Sequence, residues 1–581
     1  MSGPRIIRVS GALAEAVGLT QASLYELVQV GAKGLLGEVI RLEGERGVIQ
    51  VYEDTTGLRV GEPVRLTGSA LTVRLGPGLL GSILDGVGRP LAAVAEQSGD
   101  FIQPGILAET LDSTRKWRFE PARTARDELT GGDVLGSVEE RPGIAHRIMV
   151  PPGVSGRLAR LAGGEYTVLD PIGELADGTP LRLAQAWPVR QPRPSRERLP
   201  SARPFVTGQR VFDFLFPVSE GGSVAVPGGF GTGKTVIEQA LAKYAEADIV
   251  VYIGCGERGN EMAEVLTEFP RLVDPRTGRS IMDRSVLVVN TSNMPVAARE
   301  SSVYLGITIA EYYRDMGYRV AVMADSLSRW GEALREIAAR LQEMPGEEGY
   351  PTYLGNRLGK FYERAGRVRA LGAPDRTGVL TLISAVSPPG GDFSEPVTQA
   401  SLRVAGALWA LDPALAHQRQ FPAVDWETSY SLHAEKTAPW FAKHGGPEWP
   451  TLRRDTLELL QRERELREIA GLIGPEALQD RDRLLLEAAR LVRETVLAQS
   501  AFDPNDALSP VEKTYRLALL ARAAYQAGLA ALDRGAVFDR LNLGPVRRAL
   551  SAVRWSPAAD LVERVSEAER AVQQISTGGA A

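Results

Sequence analysis

Residues 228–235 read GGFGTGKT, which fits G-x-x-x-x-G-K-[ST], and they stand between an apolar run at 223–226 and an amphipathic stretch at 235–244. The pattern restricts the fold strongly, because it has a use where a strand hands over to a helix through a tight loop. Successive glycines let the backbone turn sharply and aim several N–H groups at one anion, and the helix start adds its partial positive charge. Phosphate is the natural ligand. Lys234 can reach β/γ oxygens, and the Thr235 hydroxyl can join a Mg²⁺ shell. A glycine-rich turn with an incidental lysine is the rival reading; the strand–loop–helix context and the rarity of lysine elsewhere argue against it.

Around this motif, short apolar strands at 248–254, 285–290, 319–325 and 378–386 alternate with longer amphipathic segments, the signature of a parallel sheet with crossover helices. Asp325 closes the run 319–325, where a carboxylate can hold magnesium through water; capping the helix expected at 329–341 is the alternative role. Residues 254–261, GCGERGNE, follow another strand. Glu257 is placed to polarise an attacking water, with Arg258 supplying charge and Glu261 bearing on water around the metal. Spacing alone equally allows an exposed loop with a surface ion pair.

The rest of the chain divides by texture. Short β-branched runs before residue 75 predict a small closed β-barrel (1–75), followed by a connection to the core (76–116). A second β-rich block (117–187) has its own turn signals and reads as an independent module. Residues 187–204, WPVRQPRPSRERLPSARP, are too stiff and too poor in apolar side chains for a core element and read as a linker. The phosphate-loop domain is assigned to 188–435. Helical spacing of leucine and alanine from about 451 predicts a helical C-terminal domain (436–581), with Ser509 and Glu512 as a capping box and Pro510 at the first helical position. The fold class is thus multidomain α/β.

Charge and cysteine content exclude other classes. With 67 basic and 72 acidic residues the net charge is -5, which offers no general attraction to nucleic acid or anionic lipid. One cysteine and four histidines leave no intrachain disulfide and little scope for a Cys/His metal site. No signal peptide or membrane-spanning run is expected.

GGFGTGKT, GCGERGNE, SNMPVAARE (292–300), ADSLSRW (324–330), SPPGGDFSEPVTQ (387–399) and PAVDWETSYS (422–431) together resemble the catalytic A (alpha) subunits of V-type and archaeal-type rotary ATPases, over nearly the whole chain. The block 117–187 looks like the bulge insertion of those subunits. The resemblance implies that Gly228, Gly229, Phe230, Gly231, Thr232, Gly233, Lys234, Thr235 and Val236 cradle ATP or ADP. It further implies that Glu257 activates water and Arg258 contacts the γ-phosphate. Thr235, Glu261 and Asp325 then serve Mg²⁺, and Phe421 and Phe502 sandwich adenine. Gly229 stands where relatives commonly carry proline or alanine, and Leu327 where many carry threonine.

The same resemblance implies an A3B3 ring alternating with a non-catalytic B subunit, and contact of residues 473–483 with a central rotor stalk. It also implies peripheral stalk subunits, an ion-conducting membrane sector moving H⁺ or Na⁺, and a place on the cytoplasmic face of the membrane, reached only indirectly. No nucleic-acid partner is expected. A non-catalytic ring subunit is disfavoured because the phosphate loop and Glu257 occur together. A ring translocase or secretion ATPase is disfavoured by the acidic balance and the bulge-like insertion.

Overall fold

The computed structural model describes residues 3–99, 103, 105–106, 108–229 and 231–577. They form two compact units, one comprising residues up to Pro200 with Gly221–Ser223 and Ala247–Ala405, the other Ser201–Glu220, Val224–Glu246 and the chain from Gly406 onward.

In the first unit the chain begins with six antiparallel strands between Arg5 and Ala70. Alternation of inward and outward residues is clean in Glu26–Val30, and Ile6, Ala14, Val28, Val39, Ile49 and Val64 meet inside. Ile6 N donates to Glu62 O and Val64 N to Pro4 O, at 3.0 and 2.9 Å, which joins the first strand to the last and closes the barrel.

The block that follows folds into two four-stranded antiparallel sheets. It is pinned to the rest of the unit by a buried polar cluster. His146 Nδ1 lies 2.7 Å from Glu140, its Nε2 2.9 Å from the Tyr312 hydroxyl, and Tyr313 donates to Glu140. Gly78 and Leu80 backbone N–H groups also reach that carboxylate, and the histidine holds it below the usual carboxylate range against the opposing effect of burial. Strand Gln185–Pro188 pairs with Thr72–Leu75, so the block is also tied down at its C-terminal end.

The proline- and arginine-rich segment differs from the linker expected. Arg193 is buried with Asp315, Arg190 bridges Glu38 and Glu300, and Glu197–Leu199 forms a strand against Gly366–Arg369. Guanidinium groups supply, through charge and hydrogen bonds, the anchoring that apolar side chains supply elsewhere, and an apolar count does not see it.

Strands Ile83–Leu84, Ser285–Thr291, Ile249–Glu257, Arg319–Asp325 and Thr377–Val386 lie side by side in parallel. Every residue of Ile249–Glu257 is buried, as expected for a sheet covered on both faces. The 20-residue helix Val296–Asp315 is buried along almost its entire length.

The second unit carries strand Ser223–Pro227 from Val224 on, paired in parallel with Ala407–Leu408, which pairs antiparallel with Tyr430–Ser431. Helix Lys234–Tyr244 follows the strand. Past the stacked Phe441 and Trp449 rings the chain is helical: Trp449–Ile473, Asp480–Val492, Val511–Asp533, Gly544–Trp555 and Leu561–Thr577. The capping box expected at Ser509 does not form. Pro510 occupies the cap position itself, so the helix starts one residue later than expected, and the Ser509 hydroxyl meets that of Thr514 at 3.1 Å. Among the described residues no helix is long and apolar enough to cross a membrane.

Candidate functional site

Two groups of side chains, one in each unit, carry the chemistry expected from the sequence. In the second unit the glycine loop turns through Gly231 and Gly233, both left-handed, and Gly233 caps helix Lys234–Tyr244. The loop is internally braced: Thr232 Oγ1 donates to Gly229 O at 2.8 Å, and Lys234 Nζ donates to Gly228 O and Gly229 O at 2.7 and 3.0 Å. Gly228 has no room for a Cβ, which would meet Thr232 Oγ1 at 2.7 Å and Leu411 Cβ at 2.9 Å. Gly229 has room, since its nearest neighbour would be Pro413 Cγ at 3.9 Å, so the glycine there is not a steric requirement. Thr235 and Val236 lie in the first helical turn, and Phe230 falls outside the described residues.

Phe421 and Phe502 belong to the same unit. Their segments are joined by a hydrogen bond from Gln499 N to Phe421 O at 2.7 Å. Phe421 is half-buried, whereas Phe502 is 95% exposed, so no packing holds its ring.

In the first unit Glu257, Arg258, Glu261 and Asp325 gather at the carboxyl edge of the parallel strands, the edge where ligands bind in open α/β sheets. Strand Ile249–Glu257 runs three residues further than the sequence suggests, through an irregularity in its pairing between Cys255 and Glu257. Gly256 makes this turn with φ +74°, and a Cβ there would lie 2.7 Å from Arg299 Cδ and 2.8 Å from Arg329 Cβ. The strand end therefore requires glycine between Cys255 and Glu257, where the backbone passes against two arginine stems. Asp325 ends its strand directly, with a cis peptide to Ser326, and pairs across the sheet with Gly254. Helix Leu327–Arg340 begins without a side-chain cap, so Asp325 does not serve as one.

Burial, and then the negative charge of Asp325, push the Glu257 carboxyl up to about 8, against the opposing influence of Ser326 and Arg329. Its Oε1 is buried without a hydrogen-bond partner among the described residues. A buried carboxyl beside a second one, with an oxygen uncommitted, is the donor set that a hard divalent cation or an ordered water would satisfy. Arg258 and Glu261 stand apart by 4.0 Å, a loose pair, with Arg258 57% exposed at the start of helix Gly259–Glu268. Leu327 is fully buried, so the departure at this position is an apolar contact made inside the core.

Several contributors lie within the motifs but take no role from the sequence alone. Arg299 donates to Ser292 O at 2.8 Å and lies against Gly256, and Ser328 Oγ accepts from Ser387 N, tying 387–399 to 324–330. Periodicity cannot reveal such contacts, because the residues that meet at Gly256 and at Ser328 come from segments tens of residues apart.

The raised Glu257 carboxyl has a consequence for stability. The folded chain keeps a proton that the unfolded chain gives up in the usual carboxylate range. Stability from this group is full below that range and is lost as pH rises to about 8, at about 1.4 kcal/mol per pH unit. Glu257→Gln has no such loss. Without nucleotide or metal, its melting temperature relative to the unsubstituted chain should climb between about pH 5 and about pH 8.5. A difference that stays flat across this range contradicts the buried, repelled carboxyl.

Four family models match the chain: the ATP synthase alpha/beta family beta-barrel domain at 6–68, the barrel-sandwich domain at 108–190, the nucleotide-binding domain at 208–431, and the C-terminal domain of V and A type ATP synthase at 438–540. The V-type ATP synthase alpha chain of Anaeromyxobacter dehalogenans is 59% identical over 518 residues, 89% of each chain. The A-type ATP synthase A subunit of Methanopyrus kandleri is 52% identical over 574 residues, 98% of this chain and 97% of the relative. The V-type ATP synthase alpha chain of Thermoanaerobacter pseudethanolicus is 51% identical over the full length of both. Among solved structures, the assembled ATPase EscN of the enteropathogenic E. coli type III secretion system superposes with a TM-score of 0.64 at 22% identity, covering 89% of this chain and 99% of that one, a likeness of fold alone. The chain belongs to the ATP synthase alpha/beta family, and within it to the V-type alpha chains and their A-type counterparts.

Proposed function

We propose that this chain is the catalytic subunit of a V/A-type rotary ATP synthase, hydrolysing or making ATP with Lys234, Glu257 and Arg258 as its catalytic groups. The observation that carries the reading is the coexistence of an intact glycine–lysine–threonine loop with a buried carboxyl at a parallel strand end. A non-catalytic paralogue has no need of the second. The fold likeness to a secretion ATPase is outweighed by relatives more than twice as similar in sequence.

In this reading the loop N–H groups and Lys234 take the β/γ phosphates of ATP or ADP, and Arg258, at the exposed start of its helix, takes γ-phosphate charge. Thr235, Asp325 and Glu261 hold Mg²⁺, which when bound neutralises phosphate charge. Glu257, in its ionised form, orients a water and accepts its proton at a carboxylate oxygen. Phe421 and Phe502 give the adenine two apolar faces. The chain takes alternate places with a non-catalytic B subunit in an A3B3 ring, meets central and peripheral stalk subunits, and through a membrane sector is coupled to H⁺ or Na⁺ movement. That places it on the cytoplasmic face of the membrane without entering it.

Lys234→Ala in the assembled complex tests the assignment. Turnover should fall by at least about tenfold, the cost of losing one charge contact worth ~1.4 kcal/mol. A steady-state rate above about a tenth of the unsubstituted complex removes Lys234 from the site.

A further inference from the structure

The ring of Phe502 has no packing to hold it, so its backbone must place it. The loop that carries it is closed on a single carboxylate. Ser500 N donates to Asp506 Oδ2 at 2.6 Å, Ser500 Oγ accepts from Phe502 N and Asp503 N at 3.2 Å, and Ala507 N donates to Asp503 O at 2.7 Å. Asp506 is itself fully buried between two guanidinium groups. Arg210 Nη2 lies 2.6 Å from Oδ1, and Arg554 Nε and Nη2 donate to Oδ2 at 2.9 and 2.8 Å.

Both arginines also grip the chain entering the loop: Arg210 donates to Val496 O and Ala498 O, and Arg554 to Glu494 O. Lys513 Nζ donates to Asn505 O at 2.8 Å on the leaving side. Gln499, whose side chain accepts from Arg210 N, is the residue whose N–H holds Phe421 O. One carboxylate thus ion-pairs with two guanidinium groups, with the Lys513 ammonium nearby, and fixes the backbone on both sides of an exposed aromatic residue. It is the counter-charge to cations that already outnumber it, so removing it leaves buried positive charge without a partner and must loosen the loop first. Burial pulls Arg210 down to about 10 and Lys513 to about 8, with the Asp506 charge opposing in both.

We infer that Asp506, clamped between Arg210 and Arg554, is a positioning residue for recognition of the nucleobase, holding the loop that presents Phe502 on the same scaffold as Phe421. The inference rests on the proposed adenine-binding role of the two phenylalanines. Its signature is a loss confined to ligands that have a base.

The test uses the full chain assembled with its partner subunits, comparing Asp506→Asn, Arg554→Lys and Phe502→Ala. ATP and inorganic tripolyphosphate are the two probes, with melting temperature recorded for each variant. Asp506→Asn should raise the KM for ATP by about tenfold, the range of one base–aromatic stack, leave kcat within about twofold, and leave inhibition by tripolyphosphate unchanged. Arg554→Lys keeps the charge but loses the two-pronged contact and should show the same pattern at about threefold; it decides the matter if Asp506→Asn does not fold. If Phe502→Ala leaves ATP affinity intact, the adenine assignment itself fails. If Phe502→Ala weakens ATP while the folded Asp506 and Arg554 variants do not, the adenine assignment stands and the positioning role is overturned. Equal loss of ATP and tripolyphosphate in the Asp506 and Arg554 variants makes the cluster a general scaffold and also overturns it.

Discussion

Glu257→Gln should leave Mg–nucleotide binding within a few-fold of the unsubstituted complex and lower turnover by about 10³-fold, the usual worth of a positioned general base. The amide has the size of the carboxylate and keeps a hydrogen-bonding oxygen, and the bond from Ser292 N goes to the Glu257 backbone carbonyl, so the local geometry has no reason to change. What is lost is basicity. The carboxyl sits in a place that raises its proton affinity through burial and through Asp325, a perturbation of the kind that clusters at functional sites. A merely structural Glu257 would be improved by the substitution, since the repulsion with Asp325 disappears; a stabilised protein that no longer turns over separates the two roles. Equilibrium binding of Mg–ATP and single-turnover hydrolysis are the measurements. Binding and turnover falling in parallel, or turnover retained within tenfold, would remove Glu257 as the base.

The parts of the fold that the sequence makes legible are those with a local period. Strand Arg319–Asp325 lies where its apolar run lies, and helix Lys234–Tyr244 starts one residue before the position read from its amphipathic pattern. The barrel, the β-rich block, the parallel core and the helical end follow from texture in the same way. The misses are places where polar atoms carry out the packing. Arg190 and Arg193 turn an expected linker into buried structure, because each guanidinium finds carboxylates far away in sequence, at Glu38, Glu300 and Asp315. Strand Ile249–Glu257 passes its expected end because Gly256 accepts a positive φ and lets the chain slip beneath Arg299 and Arg329. Ser509 and Glu512 fit a capping pattern, but Pro510 takes the cap position and the hydroxyl turns to Thr514. The sequence singles out candidate site residues where a motif has its own chemistry, as at Lys234 and Glu257. The Asp506 cluster shows the limit: its members at 210, 506, 513 and 554 share no motif and become a unit only when folded.

ATPase activity of this chain alone should rise by about 10³-fold when the B subunit is added, the gain expected when an arginine is supplied in trans to a transferring phosphoryl group. On the phosphate loop Lys234 is the charged group, braced on Gly228 and Gly229 carbonyl oxygens. Beside the carboxyl edge, Arg299 is turned to Ser292 O, and Arg329 donates to both Glu332 oxygens at 2.9 and 3.0 Å instead of lying in the core as its place after a buried strand suggests. Arg258 is the most exposed of the three arginines and in the proposed reading meets the γ-phosphate. In the proposed reading Lys234, Arg258 and Mg²⁺ face the phosphates from this chain, which leaves one side of the γ-phosphate open to a cation from a neighbouring subunit. Steady-state rates of the isolated chain, of the chain with its partner, and of the pair with the partner's interface arginine changed to alanine should run low, high and low, with assembly confirmed by mass in each case. An isolated chain that already hydrolyses ATP at the rate of the ring has a self-contained site, and the interface model then fails.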